Sequence, residues 1–474
     1  MSAILQYGLY LAILVILAIP LGAYIKKVMD GEKTFLSRIL TPCENAVYKV
    51  MRIKKEEEMS WKKYAVSVLI FSGIGLIFLF LLQLLQGVLP GNPQNLPGVK
   101  WDLSFNTAVS FVTNTNWQAY SGESTLSYLS QALGLTVQNF VSAATGIAVL
   151  FAMIRGFIKV KSTGLGSFWV DMTRIIIHIL IPLNLVIALG LVGGGVIQNL
   201  KPAETVSLVE PIAISAEGEV IENAVIDQEK NTVTVDGKII PDAEIVTDQF
   251  VPMGPAASQI AIKQSGTNGG GFMGVNSAHP LENPNAFTNM LECWSILIIP
   301  MAMAWCFGFY IRRKKLAGCI FGVMLVAFTV GIFVSVPQEM GGNPHIDEMG
   351  IAQDLGSMEG KEIRIGSAAS AMWGMVTTVT SNGSVNSMHD SQTPLSGMMQ
   401  MLNMQINCWF GGVGVGWMNY FAFLIIAVFI SGLMVGRTPE FLGHKVEARE
   451  MKIATMVVLM HPFLILVGTG ISSA

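Results

Sequence analysis

The chain has 474 residues, of which 52% are hydrophobic and only 13% charged, and its formal net charge is -3. Soluble domains carry about twice that charged fraction, so a single water-facing globule is excluded, and no broad basic surface is available for nucleic acid. Five cysteines, an odd number without a CxxC pair, indicate neither a disulfide framework nor a zinc site.

A membrane-crossing helix needs about 20 apolar residues. Such runs lie at 4–25, 64–89, 126–157, 172–200, 286–311, 316–336, 395–435 and 453–470, which predicts an all-α polytopic membrane protein. The first run has no basic residue ahead of it and Lys26 and Lys27 behind it, the reverse of a cleaved signal peptide, and reads as a retained helix. Two runs are too long for one straight crossing. The run 126–157 is expected to include an outer interfacial turn, and 395–435 is interrupted by GGVGVG (411–416).

Basic residues set the orientation. The connection 26–63 holds ten Lys or Arg, 155–174 holds four, 312–315 holds four and 437–452 holds four. These fall on one side if the crossings alternate. The other side holds Lys100, Lys201, Lys230, Lys238, Lys263, Lys361 and Arg364. The N-terminus is therefore expected outside. The largest outer segment, 201–250, carries eleven acids against three lysines, and NTVTVDGKII (231–240) within it predicts a hairpin turning at Asp236-Gly237. It reads either as a surface insertion or as a weak attractor of cations.

One pattern recurs three times: a crossing, an outward connection, a short apolar segment, a polar Gly/Asn stretch, and a second crossing. The polar stretches are VTNTNW (112–117), GTNGGGF (266–272) and VTSNGS (379–384). All face outward, so the repeats are parallel. The short apolar segments suit half-helices that re-enter the membrane. Irregular backbone survives at membrane depth only when buried in protein or lining a watery cavity. Several such loops on one axis have the logic of a selectivity filter, in which backbone carbonyls replace an ion's hydration shell. The half-helices present their negative C-terminal ends to that axis, which favours a cation.

The stretches NTAVSFVTNTNWQAYSGE, MGPAASQIAIKQSGTNGGGF, HPLENP, GNPH, MEGKE and GLMVGRTPEFLG resemble the potassium-translocating component KdpA of the Kdp-type potassium-transporting ATPase family. The resemblance runs through essentially the whole chain. It implies potassium-channel-like membrane–pore–membrane repeats around a pseudo-fourfold axis. A leading helix and loop would occupy 1–63, repeats would occupy 64–158, 159–311 and 312–436, and a fourth would begin at 437–474. It implies a K+ filter made of Asn114-Thr115-Asn116, Thr267-Asn268-Gly269 and Ser381-Asn382-Gly383, with Gln118 and Gly270 adjacent. Asn116 stands where the other two triplets have glycine, so the ring would be only pseudo-symmetric. Asparagine tolerates left-handed dihedrals better than most residues.

The resemblance further implies that the ion is passed sideways to the P-type ATPase component KdpB, in a complex with KdpC and the small KdpF in a prokaryotic plasma membrane. The break carrying Gly411, Gly412, Gly414 and Gly416 is similar to an intramembrane loop below the filter, and Arg437 to a positive charge blocking direct exit. Close helix packing through small residues and a positive-inside anchor are the plainer readings of these two features. The family pattern also implies a fourth filter strand and two further crossings beyond GTGISSA, so the chain is expected to be a fragment, one part of a split gene, or an inactive truncation.

Other residues carry less. Lys263, four residues before Thr267, is expected to turn away from a cation path and pair with Glu282 or Glu123. The histidines lack HExxH or HxH spacing, so a metal other than K+ is not expected. Neither a DKTG phosphorylation motif nor a phosphate loop occurs in the sequence. ATP chemistry is therefore expected in a partner, with this chain as a non-catalytic component.

Overall fold

The computed structural model describes residues 3–158, 164–216, 218–227 and 231–474. Lys159, Lys161, Glu217, Glu229 and Lys230, used above in the charge argument, lie outside the described residues.

The chain is built from helices. In order they are α1 (Ala3–Met29), α2 (Ser37–Met51), α3 (Trp61–Leu85), α4 (Trp101–Val112), α5 (Gly122–Thr125), α6 (Val137–Ile158), α7 (Phe168–Arg174) and α8 (Ile181–Gly193). After a β-segment come α9 (Ala256–Ser265), α10 (Ala286–Tyr310), α11 (Lys314–Met340), α12 (Pro344–Glu348), α13 (Ser367–Val379), α14 (Pro394–Ile406), α15 (Val415–Val435) and α16 (Ala448–Ser473). Among the described residues, 8 helices or helical runs are long and apolar enough to cross a membrane. Each overlaps one of the eight runs read from hydropathy, as a polytopic all-α membrane protein requires, although the seventh, Val415–Val435, takes only the second half of 395–435.

Two crossings contain π-helical turns. Ser130–Thr136 leads into α6, and Ile175–Leu180 joins α7 to α8. The second has a local cause. Pro182 has no N–H, so the carbonyl four residues back, on His178, loses its helical donor. Tyr24 of α1 supplies the replacement, its hydroxyl donating to that carbonyl at 2.7 Å.

The segment between α8 and α9 is a two-stranded antiparallel ribbon of β1 (Glu204–Ile214) and β5 (Glu244–Val251), with an irregularity between Ser207 and Ile212. A small antiparallel sheet, β2 (Val225–Asp227), β3 (Thr232–Val235) and β4 (Lys238–Ile239), sits within it. The predicted turn is present: Asp236 and Gly237 take φ of 52° and 75°, the two positive values that a tight hairpin needs.

The run 395–435 differs from a single crossing. It resolves into α14, 13 residues long, and α15, 21 residues long. The break starts earlier than the glycines, at Asn407 (φ 46°) and Phe410 (φ 73°), and continues through Gly411 and Gly414 (φ 62° and 84°). Four left-handed residues in eight positions leave no helical path between the two halves. Pro462, in contrast, lies inside an unbroken α16.

One apolar core ties the crossings together. It includes Leu14 and Ala18 of α1, Ile147 and Phe151 of α6, Ile299 and Met303 of α10, Phe328 of α11, Trp373 of α13 and Trp417 of α15. α1 lies close on α10 because Gly22 faces the backbone there; a Cβ at Gly22 would stand 2.6 Å from the carbonyl oxygen of Ala302. The central position of α10, and the peripheral, apolar surfaces of α3, α15 and α16, follow from how much of each helix is buried.

Candidate functional site

Three short helices end at one place. α4 has 12 residues, α9 has 10 and α13 has 13, each too short to cross a bilayer. Each is followed directly by one of the predicted triplets. The triplets share a backbone signature. Asn114 and Asn116 have φ of 62° and 56°, Thr267 and Gly269 of 49° and 85°, and Ser381 and Gly383 of 53° and 92°, while the middle residues Thr115, Asn268 and Asn382 are not left-handed. The first and third positions of every triplet are thus left-handed and the second is not.

The way each helix ends enforces this. The N–H of Thr115 donates to the carbonyl of Ser110 at 3.0 Å, that of Asn268 to Lys263 at 2.9 Å, and that of Asn382 to Thr377 at 2.8 Å. These are equivalent five-residue closures, and they hold the triplet against the last turn of its own helix. The third residue donates to the same position: Asn116 to the Ser110 carbonyl at 3.2 Å, Gly269 to the Lys263 carbonyl at 3.1 Å, and Gly383 to the Thr377 hydroxyl at 3.0 Å.

The triplets then lean on one another. Asn114 donates its side-chain amide to the carbonyl of Thr267 at 3.2 Å, and Asn382 donates to that of Lys263 at 3.2 Å. Asn268 donates to Asn114 Oδ1 and, at 3.1 Å, to Ser142 Oγ. The strands approach so closely that a Cβ on Gly269 would fall on the carbonyl of Asn382, and one on Gly270 would stand 2.8 Å from that of Asn116. Gln118 and Gly271 exchange hydrogen bonds, amide to carbonyl at 3.0 Å and N–H to Oε1 at 2.8 Å, and so tie the outer ends of strands one and two. All of GTNGGGF is buried, whereas Thr115 and Gly383 face an open side between strands one and three.

Beneath lies the break in the seventh crossing. The N–H of Gly411 donates to the Val379 carbonyl at 2.9 Å, and that of Val413 to Thr267 Oγ1, also at 2.9 Å. A Cβ at Gly412 would stand 3.6 Å from that same hydroxyl. Gly146 of α6 makes room for the loop, since a Cβ there would meet the Val413 carbonyl at 2.5 Å. Gly416 closes the turn, its N–H donating to Gly412 at 3.0 Å. The structure therefore brings Gly411 and Gly412 against the starts of the third and second triplets, with Gly414 packed on Gly146 and Gly416 on Gly411. It does not bring Arg437 there. That residue follows α15, whose 21 residues rise about 30 Å, and its side chain is exposed.

Lys263 turns away from the triplets and pairs with Glu282, both side chains fully buried. Glu282 also accepts the Met273 N–H at 3.1 Å, while Glu123 accepts that of Gly274 at 2.7 Å. A polar cluster that the motifs did not reveal stands behind strands two and three. Gln264 donates to Glu292 at 2.7 Å and to Ser384 at 2.9 Å, and Ser277 donates to Glu292 at 2.7 Å. Trp373 donates its indole N–H to the Ser384 carbonyl at 2.8 Å. Glu292 is the only acid in the run 286–311, and a buried acid within a crossing is a signal that could have singled it out. Asn139 and Ser142, partners of Asn116 and Asn114, are likewise polar residues inside an apolar run.

The arrangement gathers the backbone of the three triplets at the C-terminal ends of three short helices. Oxygen ligands and negative helix ends suit a hard monovalent or divalent cation. Among the described residues there is no cluster of three or more His, Cys, Asp or Glu that could hold a metal ion.

Comparison with known proteins agrees over the whole chain. The family model described as potassium-transporting ATPase A subunit matches residues 8–474. The chain is 55% identical over 482 residues to the potassium-transporting ATPase potassium-binding subunit of Clostridium botulinum (strain Alaska E43 / Type E3), covering 100% of this chain and 78% of that protein. It is 51% identical to the protein of the same description from Phocaeicola vulgatus, covering 98% and 75%, and 48% identical to that of Desulfovibrio desulfuricans, covering 99% and 78%. With the motifs and a similarity that runs through this chain in agreement, the chain belongs to the potassium-transporting ATPase A subunit family.

Proposed function

We propose that this chain is the ion-binding and translocating component of an ATP-driven potassium importer. Its filter strands would be Asn114-Thr115-Asn116, Thr267-Asn268-Gly269 and Ser381-Asn382-Gly383, one from each of the repeats 64–158, 159–311 and 312–436. The observation that carries the reading is the shared backbone of the three triplets, left-handed at the first and third residues and not at the second, at the ends of three short helices. K+ is the ion named in the relatives' description, potassium-binding subunit.

In this reading K+ enters from the outer face and exchanges water for carbonyl oxygens along the triplets. Gln118 and Gly270 hold the outer ends of the strands. The loop through Gly411, Gly412, Gly414 and Gly416 closes the inner end, so the ion leaves sideways to the P-type ATPase partner KdpB, within a complex that includes KdpC and KdpF. ATP is hydrolysed by that partner. Arg437, at the basic end of α15, would discourage direct cation exit by its charge. The N-terminus would lie outside a prokaryotic plasma membrane, as the basic connections require.

The test is potassium uptake by the complete complex carrying Gly269→Ser or Gly383→Ser. Both residues hold φ values that a side chain resists, and at Gly269 a Cβ has no room. The KM for K+ should rise at least about tenfold, the equivalent of ~1.4 kcal/mol, with poorer discrimination against Na+. An unchanged KM in a folded complex would remove the filter assignment. Uptake that persists without ATP would instead favour a channel-like transporter.

A further inference from the structure

α2 is amphipathic in an unusual sense: its polar side faces the protein and its apolar side faces outward. Ile39, Cys43, Ala46 and Val50 recur at helical spacing on one face, and all are exposed. Ile39 is 70% exposed and Val50 79%, and Phe35, just before the helix, is 82% exposed. The inward face consists of Glu44 and Tyr48. Glu44 meets His178 Nε2 at 2.9 Å and Arg174 Nε at 3.4 Å, and accepts from the Tyr48 hydroxyl at 2.7 Å.

That docking fixes a depth. His178 belongs to the crossing Phe168–Gly193, well inside its first end. A helix pinned to His178 cannot stand clear of the bilayer, so its apolar face meets the lipid boundary. Trp61, 65% exposed, stands at the start of α3 and is of the residue type enriched at membrane–water boundaries.

Between α2, the end of α1 and α7 lies a cleft of about 570 Å³ lined by Lys33, Arg38, Lys55, Arg174, Thr34 and Ser37. Two of its acids are already engaged: Glu32 pairs with Lys26 at 2.5 Å, and Glu44 is held as above. Among the described residues Lys33 and Arg38 make no ion pair, and both are exposed. Exposed cations without an acidic partner, in a cleft beside an apolar, membrane-level helix face, complement a group that is anionic at one end and hydrocarbon at the other.

We infer that α2 is an interfacial anchor whose basic cleft holds the phosphate of an anionic phospholipid, with Ile39, Val50 and Phe35 against its acyl chains. The site is independent of the triplets.

Cys43 provides a reporter on the apolar face, because Cys293, Cys306 and Cys408 are buried and Cys319 can be replaced. The full chain carrying Cys319→Ser, labelled at Cys43 with an environment-sensitive fluorophore, would be placed in phosphatidylcholine vesicles with or without phosphatidylglycerol. Quenching by shallow spin-labelled lipid and protection from aqueous iodide is expected; iodide quenching without lipid quenching would overturn the anchor. Native mass spectrometry should show phosphatidylglycerol retained several-fold over phosphatidylcholine, and K33Q/R38Q should erase that preference while K62Q, outside the cleft, keeps it. Equal retention of the two lipids by the unmodified cleft, or a preference that survives K33Q/R38Q, would overturn the headgroup site. Displacement of phosphatidylglycerol by millimolar inorganic phosphate would show a free-phosphate site and overturn the lipid assignment. Where the double variant does not fold, Arg38→Gln alone carries the same readout.

Discussion

Val413 donates its backbone N–H to the side chain of Thr267 at 2.9 Å, across 146 residues of sequence. The first residue of the second triplet is therefore fastened to the loop that breaks the seventh crossing. The hydroxyl sits at the inner end of the triplet and has no apolar substitute, since a buried N–H left without an acceptor costs about 1–3 kcal/mol.

Thr267→Val should free the loop while leaving its neighbours in place. Amide hydrogen exchange across 411–416 is expected to accelerate by roughly tenfold or more, as the loss of a bond worth ~1–1.5 kcal/mol implies. Thr267→Ser, which keeps the oxygen, should exchange like the parent. Equal rates in Thr267→Val and the parent would show that the bond does not hold the loop.

Gly146→Ala tests the same loop from the other side. Its Cβ would press on the Val413 carbonyl at 2.5 Å, and overpacking of this kind costs about 1–3 kcal/mol. Gly8, whose Cβ would meet nothing, is the control. The prediction is a clearly lower unfolding temperature in detergent for Gly146→Ala and little change for Gly8→Ala.

Lys263 and Glu282 are a fully buried ion pair behind the second strand. Removing one partner strands a charge, at a cost of about 3–5 kcal/mol. Lys263→Met or Glu282→Gln alone should each destabilise strongly, and the double variant should recover part of the loss. Additive losses in a thermal double-mutant cycle would rule out the coupling.

The Glu44 carboxyl lies outside the crossings and invites a pH experiment. Burial by itself would raise its pKa, but His178, the Tyr48 hydroxyl and Arg174 outweigh it and hold the group at about 2 rather than the ordinary 4.5. A carboxyl depressed on folding adds stability above its unfolded value, and that contribution is lost as pH falls from about 4.5 towards about 2. The unfolding temperature should drop across that window, and Glu44→Gln should flatten the drop. An identical pH profile in the variant would exclude Glu44 as its source.

The crossings and the three triplets were legible because both are local signals: apolar runs of membrane length, and a polar glycine/asparagine stretch after a segment too short to cross. The hairpin at Asp236-Gly237 was legible for the same reason. What escaped is long-range. Nothing near Glu44 in sequence points to His178, and nothing near Gln264 points to Ser384, because these pairs exist only once separate crossings are packed. The break in 395–435 was half legible: the glycines showed it, but Asn407 and Phe410, which begin it, belong to residue types that do not advertise a left-handed backbone to the same degree. The ribbon of β1 and β5 was missed because its charged residues interrupt the apolar alternation that marks a strand.

The alternating handedness of the triplets has a stereochemical consequence. A stretch whose residues alternate between positive and negative φ resembles a polymer of alternating D and L units. Selection on such a stretch divides by parity. The odd positions must accept a mirror-image conformation, and they hold Asn114, Asn116, Thr267, Gly269, Ser381 and Gly383. The even positions, Thr115, Asn268 and Asn382, are free of that demand and can be chosen for what their side chains reach, which two of them spend on bracing the neighbouring strand.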